Sequence, residues 1–211
     1  PDFPVLSYAM DVESAGCAAP HKHPRGQFVY ASSGVMRVVC LKTSWLVPPS
    51  QGVWLPPDTE HEVYFPGKVK IRNLFFDPSF IGGLPSGCSV LKVNLFLREL
   101  ILKAVSFGDS YKLNSSAWRV MEVLRDELRI AEPAGLCLPM PEDERALRVS
   151  AALLKNPADP RSLEEWARLA CTSSRTLLRL FEKDTSLSFG DWRRNLRFMK
   201  ALERLDAGES V

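Results

Sequence analysis

The sequence has little that would mark it for a membrane, a secretory route or a thiolate metal scaffold. Its five cysteines, Cys17, Cys40, Cys88, Cys137 and Cys171, are odd in number and scattered, and none forms a CxxC pair. Such spacing suggests neither a disulfide framework nor a cysteine zinc site, and a reducing, cytoplasmic setting is expected. Long apolar runs are missing as well. The most hydrophobic stretch, Val93 to Phe107, is broken by Asn94, Arg98, Glu99 and Lys103, too short and too charged to span a bilayer. No membrane partner is expected. The first residues, Pro1-Asp2-Phe3-Pro4-Val5-Leu6, lack the basic start and apolar centre of a signal peptide. An excess of one charge is absent too, the formal net charge being +2 in 211 residues. With 45% apolar and 25% charged residues the chain can build one fair-sized core or two small ones.

What is present changes texture near residue 90. Before it, short β-rich runs recur at Phe28–Ser32, Val35–Leu41, Trp45–Val47, Val53–Leu55, Glu62–Phe65 and Val69–Phe76. Turn signals separate them: Ser33-Gly34, Pro48-Pro49, Pro56-Pro57-Asp58 and Pro66-Gly67. Short strands punctuated in this way predict a small barrel or sandwich over residues 1–90. Beyond it the apolar period becomes helical. Leu91–Phe107 is apolar on more than one face, and in Ser115–Glu132 the residues Trp118, Met121, Leu124 and Leu128 recur three or four apart. Both helices of this 91–132 segment can pack on the barrel, or the first can also form the seam of a homodimer; the pattern leaves the two open. Residues 133–141, with Gly135, Pro139 and Pro141, read as a linker, and 142–211 as all helical. The fold class is therefore α+β.

The strongest signal lies in that last region. Ser162-Leu163-Glu164-Glu165 is a capping-box sequence that starts a short helix. Cys171-Thr172-Ser173 makes a turn, and a second helix runs from Ser174 to about Asp184. These are the dimensions of a helix-turn-helix. On the second helix Leu177, Leu180 and Phe181 must enter a core, while Arg175 and Arg179 share another face with Ser174 and Leu178 beside them. An arginine fork suits the O6 and N7 atoms of guanine in the major groove, and Leu178 suits a thymine methyl. After a cap at Ser188, a further helix carries Trp192, Leu196, Met199 and Leu202 on one side and a basic stripe on the other: Arg193, Arg197, Lys200 and Arg204, with Arg194 adjoining. From Arg161 to Arg204 there are ten Lys/Arg against six Asp/Glu, so a near-neutral chain has a basic end suited to phosphate.

The residues Ser162-Leu163-Glu164-Glu165-Trp166-Ala167, Leu169-Ala170, Ser173-Ser174-Arg175-Thr176-Leu177, Arg179, Phe181, Leu187-Ser188-Phe189 and Trp192-Arg193-Arg194 resemble the first half of the AraC/XylS regulator domain. The resemblance implies a DNA-binding transcription regulator in which Arg175 and Arg179 take base-reading positions. Cys171 and Ser186 stand where that family commonly has glycine. Its second helix-turn-helix would begin about where this chain stops, at Glu209-Ser210-Val211, so the sequence reads as truncated before it.

Histidine is scarce, and all three copies fall in one pattern. His21-Lys22-His23, then Gln27 and Gly34, and later His61 after Pro56-Pro57-Asp58-Thr59-Glu60, resemble the first and second cupin motifs. A His-x-His pair on a strand puts both imidazoles on one face, and three histidines in a barrel suit a first-row metal. Gln27 replaces the usual carboxylate, Asp58 stands where the turn normally has glycine, and Phe65 occupies the position of the second motif's asparagine. With no charged ligand, no resident cofactor is expected. A metal-free pocket for a small-molecule effector is the leading expectation, with a divalent transition metal on His21, His23 and His61 as the alternative. The effector pocket is expected to include His21, His23, Gln27, Tyr30, Trp54, His61 and Tyr64. The whole is read as an effector-sensing, dimeric, sequence-specific DNA-binding regulator rather than an enzyme, the competing reading being a cupin metalloenzyme with a helical appendage.

Overall fold

The computed structural model describes residues 3–40, 43–108, 111–134 and 138–206. The described residues divide into two compact units, one of Pro1–Lys42 with Val47–Gly135 and one of Thr43–Leu46 with Leu136–Val211. The sequence-based boundary at residue 90 falls inside a strand. The 91–132 helices belong to the sheet-bearing unit because their apolar stripes have no other core to enter.

The first unit contains β1 (Val5–Val12), β2 (Gly16–His21), β3 (Gly26–Ser33), β4 (Met36–Cys40), β6 (Gln51–Leu55), β7 (His61–Phe65), β8 (Val69–Phe76) and β9 (Ser89–Lys92). One antiparallel sheet has the order β1-β8-β3-β6-β9, and β4-β7-β2 form another. All six runs read from the sequence fall on strands, apart from Val35, which precedes β4, and Leu41, which lies outside the described residues. The edge strands β1, β2 and β9 were not foreseen: β2 is exposed almost throughout and has no apolar alternation to read.

Strand β3 is buried on both faces. Side chains alternate along a strand, so Phe28 and Tyr30 join Trp54, Leu74 and Phe76 in a core under the helices. Gln27, Val29 and Ala31 therefore face the opposite way. Helices α1 (Leu95–Ser106) and α2 (Ser116–Ile130) cover that core with Leu97, Ile101, Ala104, Met121, Leu124 and Leu128. Each fully buried leucine, isoleucine or methionine among them contributes roughly 1.5–3 kcal/mol. The helices begin at Asn94 and Ser115, whose side chains accept from the amides of Leu97 and Trp118. Arg98 fixes α1 over β3 by donating to the Tyr30 hydroxyl at 2.9 Å and the Ser32 carbonyl at 2.8 Å. Glycine is required at position 26, where a Cβ would collide with the Trp54 indole.

One finding runs against the sequence reading. Cys40 and Cys88 are disulfide-bonded across a 48-residue separation, a pairing that neither parity nor spacing announces. Cys17 and Cys171 are free, and Cys137 lies outside the described residues.

The second unit holds the strand pair β5 (Thr43–Val47) and β10 (Leu138–Pro139), joined at Leu138 with Leu46 and Pro139 with Trp45. It continues with α3 (Glu144–Lys155), α4 (Leu163–Leu169), α5 (Ser174–Thr185) and α6 (Phe189–Asp206). The expected linker at 133–141 thus contains a short strand. Glu209, Ser210 and Val211, where the sequence reading puts the stop, lie outside the described residues. Trp166, Leu177, Phe181, Phe189 and Trp192 are buried together with Leu196 and Met199, and the Phe181 ring lies 4.8 Å from Phe189 and 5.3 Å from Trp192. No helix among the described residues is long and apolar enough to cross a membrane.

Candidate ligand site and nucleic-acid interface

The three histidines come together at one end of the first unit. His21 closes β2, His61 opens β7 directly opposite it, and His23 lies on the loop between β2 and β3. Their ring centroids are 4.4 Å (His21–His61), 5.3 Å (His23–His61) and 6.0 Å (His21–His23) apart. Each ring is held in the same way. Nδ1 of His21 meets the Ala19 carbonyl at 2.7 Å, that of His23 the Arg25 carbonyl at 2.7 Å, and that of His61 the Thr59 carbonyl at 2.8 Å. A carbonyl only accepts, so each Nδ1 carries a proton and donates it there, which turns Nε2 of each ring away from the backbone.

One ring nitrogen from each of the three histidines lies within 4.8 Å of those of the other two. Nε2 of His61 is buried with no hydrogen-bond partner, and burial pushes the His61 pKa down to about 4, which keeps the ring neutral at physiological pH. The Gln27 amide oxygen stands 2.9 Å from Nε2 of His23. The contact is satisfied either by the Gln27 amide turned so that its NH2 donates to Nε2, or by a cation between the two. The residues therefore fit a divalent first-row ion: three imidazoles with Nδ1 anchored to backbone carbonyls, which is the support metal-bound histidines need, and a buried donor atom with no other use. Phe75, 5.2 Å from the His23 ring, forms an apolar wall. Sequence reasoning missed it, although its register opposite Gln27 places it there.

The other residues expected in the pocket lie elsewhere. Tyr30 and Trp54 face the helices, Trp54 donating to the Pro85 carbonyl at 2.7 Å. Tyr64 bonds Glu62 and stacks under Arg37, whose guanidinium is 3.8 Å from its ring centroid. The reason is parity. Gln27 and Tyr30 are three apart on β3, and His61 and Tyr64 three apart on β7, so each pair must face opposite ways. The expected set of seven reduces to His21, His23, Gln27 and His61.

In the second unit α4 begins with both halves of the capping box: Glu165 N–H donates to Ser162 Oγ at 3.3 Å, and Ser162 N–H to Glu165 Oε2 at 2.7 Å. The turn to α5 passes through Cys171 at φ 52°, and α5 ends at Ser186 with φ 57°. Both are the left-handed positions where the resemblance places glycine, and Asp58 at φ 57° is the third. Ser173 caps α5 by accepting from the Thr176 amide. Arg175, Leu178 and Arg179 are exposed on one side of α5, with Ser174 half-buried beside them. Among the described residues neither Arg175 nor Arg179 makes a hydrogen bond or ion pair. The α6 stripe is different. Arg193 donates to the Asp159 carbonyl and Arg197 to the Pro157 carbonyl, both at 2.9 Å, while Arg194 pairs with Asp191. These arginines fasten α6 to the α3–α4 loop and its own first turn; the side chain of Arg204 is not among those described.

Residues 11–134 match the AraC-like ligand binding domain family. Along most of its length the chain is similar to the HTH-type transcriptional regulator NimR of Escherichia coli, 31% identical over 191 residues, which cover 90% of this chain and 70% of NimR. The chain belongs to the AraC-like family of transcription regulators. A shorter stretch of 55 residues is 47% identical to the HTH-type transcriptional regulator RipA of Corynebacterium glutamicum, covering 26% of this chain and 17% of RipA. Among solved structures, the AraC-like transcriptional activator CuxR aligns with 95% of this chain and 78% of its own, at 14% identity and a TM-score of 0.48. NimR and RipA are transcriptional regulators, and with the family match this AraC-like chain is a regulator rather than a cupin enzyme.

The two sets of arginines separate experimentally. Arg193→Ala is expected to lower the stability of the AraC-like chain by about 1–2 kcal/mol, because it removes a half-buried charged donor. Arg175→Ala and Arg179→Ala should stay within about 0.5 kcal/mol of wild type. Urea unfolding decides this, and equal losses at both sets would contradict the division of labour.

Proposed function

We propose that this regulator reads DNA with α5 and senses its effector at the histidine end of the sheet unit. The observation that carries the DNA half is the unengaged pair Arg175 and Arg179, presented with Ser174 and Leu178 on the exposed side of a capped helix. Their guanidinium forks are free to bond guanine edges in the major groove. Arg193 and Arg197 have a structural task in holding the fold, and Arg194 is tied to Asp191, so α6 contributes less to phosphate binding than its basic stripe suggested.

For the sensing half, we infer that His21, His23 and His61 hold a divalent first-row transition ion through Nε2, with Gln27 positioned by His23. When bound, such an ion supplies two positive charges and a fixed coordination geometry. The chain's own residues do the remainder. Backbone carbonyls at 19, 25 and 59 orient the rings, Phe75 excludes water on one side, and burial keeps His61 neutral and ready to ligate. The three histidines tie the end of β2, the following loop and the start of β7, so occupancy couples three segments. A cytoplasmic location follows from a task on DNA.

The working form is a homodimer that uses the outer face of α1 and α2. Leu95, Phe96 and Ile130 are 81%, 55% and 73% exposed, and they lie where the start of α1 and the end of α2 meet, an apolar surface that a second copy would cover. Phe96→Glu is expected to shift the chain to monomer in sedimentation, and an unchanged state would remove this face from consideration.

Selection of duplexes from a randomised pool tests the reading head. Wild type should enrich one motif. Arg175→Ala with Arg179→Ala should lose it, each arginine contributing about 1–3 kcal/mol of discrimination. Enrichment of the same motif by the double variant would sink the assignment.

A further inference from the structure

The histidine cluster has one deficiency as a metal site. Three imidazoles and an amide bring no negative charge, and an anionic thiolate beside them would tighten the hold on a divalent ion. The sheet supplies the missing charge one strand away. Cys40 on β4 is the register partner of His61 on β7, and His61 is the partner of His21 on β2. The three form one row across adjacent strands. Directly opposed residues project to the same face with Cβ atoms about 4.5–5.5 Å apart. Burial agrees: Met36, Val38 and Cys40 alternate inward along β4, and Cys40 and His61 are 1% and 2% exposed. Cys40 is at present bonded to Cys88, a half-buried residue after the Gly- and Pro-rich run 81–87.

We propose that Cys40 is the anionic ligand of this site, masked while it is joined to Cys88 and released by reduction. The inference rests on the metal reading of the histidines and deepens it. A protein that works on DNA in a reducing compartment keeps a disulfide as a switch rather than as a staple. The chemistry is that of thiol–disulfide exchange. A thiolate of a small dithiol reductant attacks Sγ of Cys88, the more accessible sulfur, and the S–S electron pair leaves on Sγ of Cys40. The reductant's second thiol then displaces Cys88 and closes its own disulfide. Two electrons pass from the dithiol to the protein. Of its two protons, one stays on Cys88 and the other goes to solvent, because the Cys40 thiolate is taken up by the ion. Oxidation reverses the sequence and removes the charged ligand, leaving three histidines and a weaker site.

Cobalt(II) is the probe, because a cobalt–thiolate bond adds a near-ultraviolet charge-transfer band that imidazole ligation lacks. The full chain is titrated oxidised, and again after reduction and removal of the dithiol. Reduced protein should bind cobalt with the band. Oxidised protein should bind without it and more weakly, by at least the roughly tenfold that loss of a supporting ligand contact costs. Cys88→Ser should show the band without reductant, and Cys40→Ser should never show it while keeping the weaker site. Cobalt bound by reduced wild type and by Cys88→Ser without the band would overturn the assignment, as would a band that survives Cys40→Ser. Cobalt bound by neither redox form would instead bring down the metal reading on which the proposal rests.

Discussion

Strand β3 is dry on both faces, and the rest of the sheet unit follows from that constraint. A strand offers its side chains alternately. One set, Phe28 and Tyr30, therefore had to be covered by α1 and α2, while the other set, Gln27, Val29 and Ala31, had to be covered from the opposite side. The helical cover exists only because residues 91–132 carry an apolar stripe long enough to supply it. Once both faces are closed, a buried polar group needs a partner of its own, as the Tyr30 hydroxyl has in Arg98. Gln27 stands near the start of β3, and the histidines gather there.

The same alternation decides how much of the protein could be read from its sequence. The six strands with strong apolar alternation and flanking turn signals were legible, and so were α1, α2, the capping box and the α5 face. Edge strands were not: β2 spends its residues on solvent, and its register with β7 is interrupted by an irregularity between Ala18 and His21. The histidine motif was legible as a cluster, and the left-handed turns at Asp58, Cys171 and Ser186 were legible as places that want glycine. Tyr30, Trp54 and Tyr64 were assigned by chemistry alone; parity along β3 and β7, also readable, turns Tyr30 and Tyr64 away from Gln27 and His61, while Trp54 faces the helices through its pairing with Phe28, which the sequence does not reveal. Arg193 and Arg197 illustrate a harder limit. Their spacing shows a basic stripe, but the carbonyls that occupy them, at Asp159 and Pro157, come from a loop whose path no periodicity reveals. Cys40 is similar, since its neighbourhood with His61 exists only through pairing between strands 21 residues apart.

Functionally, the two units present complementary states of readiness. Among the described residues Arg175 and Arg179 on α5 make no hydrogen bond or ion pair, which under the proposal leaves their donors for a base edge or phosphate. At the histidine end the backbone carbonyls hold every Nδ1, and under the proposal the buried Nε2 of His61 is left for a cation. The proposed homodimer would use the exposed apolar residues Leu95, Phe96 and Ile130 of the α1–α2 face.

The central claim is that occupancy of the histidine site alters DNA binding. Fluorescence anisotropy of the reduced chain on its selected duplex, with and without zinc, tests it most directly. Coupling between two sites in one protein is typically 5- to 150-fold, so zinc should change the Kd of wild type by at least about fivefold and leave His61→Ala unmoved. Zinc that binds stoichiometrically while the DNA affinity of wild type stays constant would contradict the account.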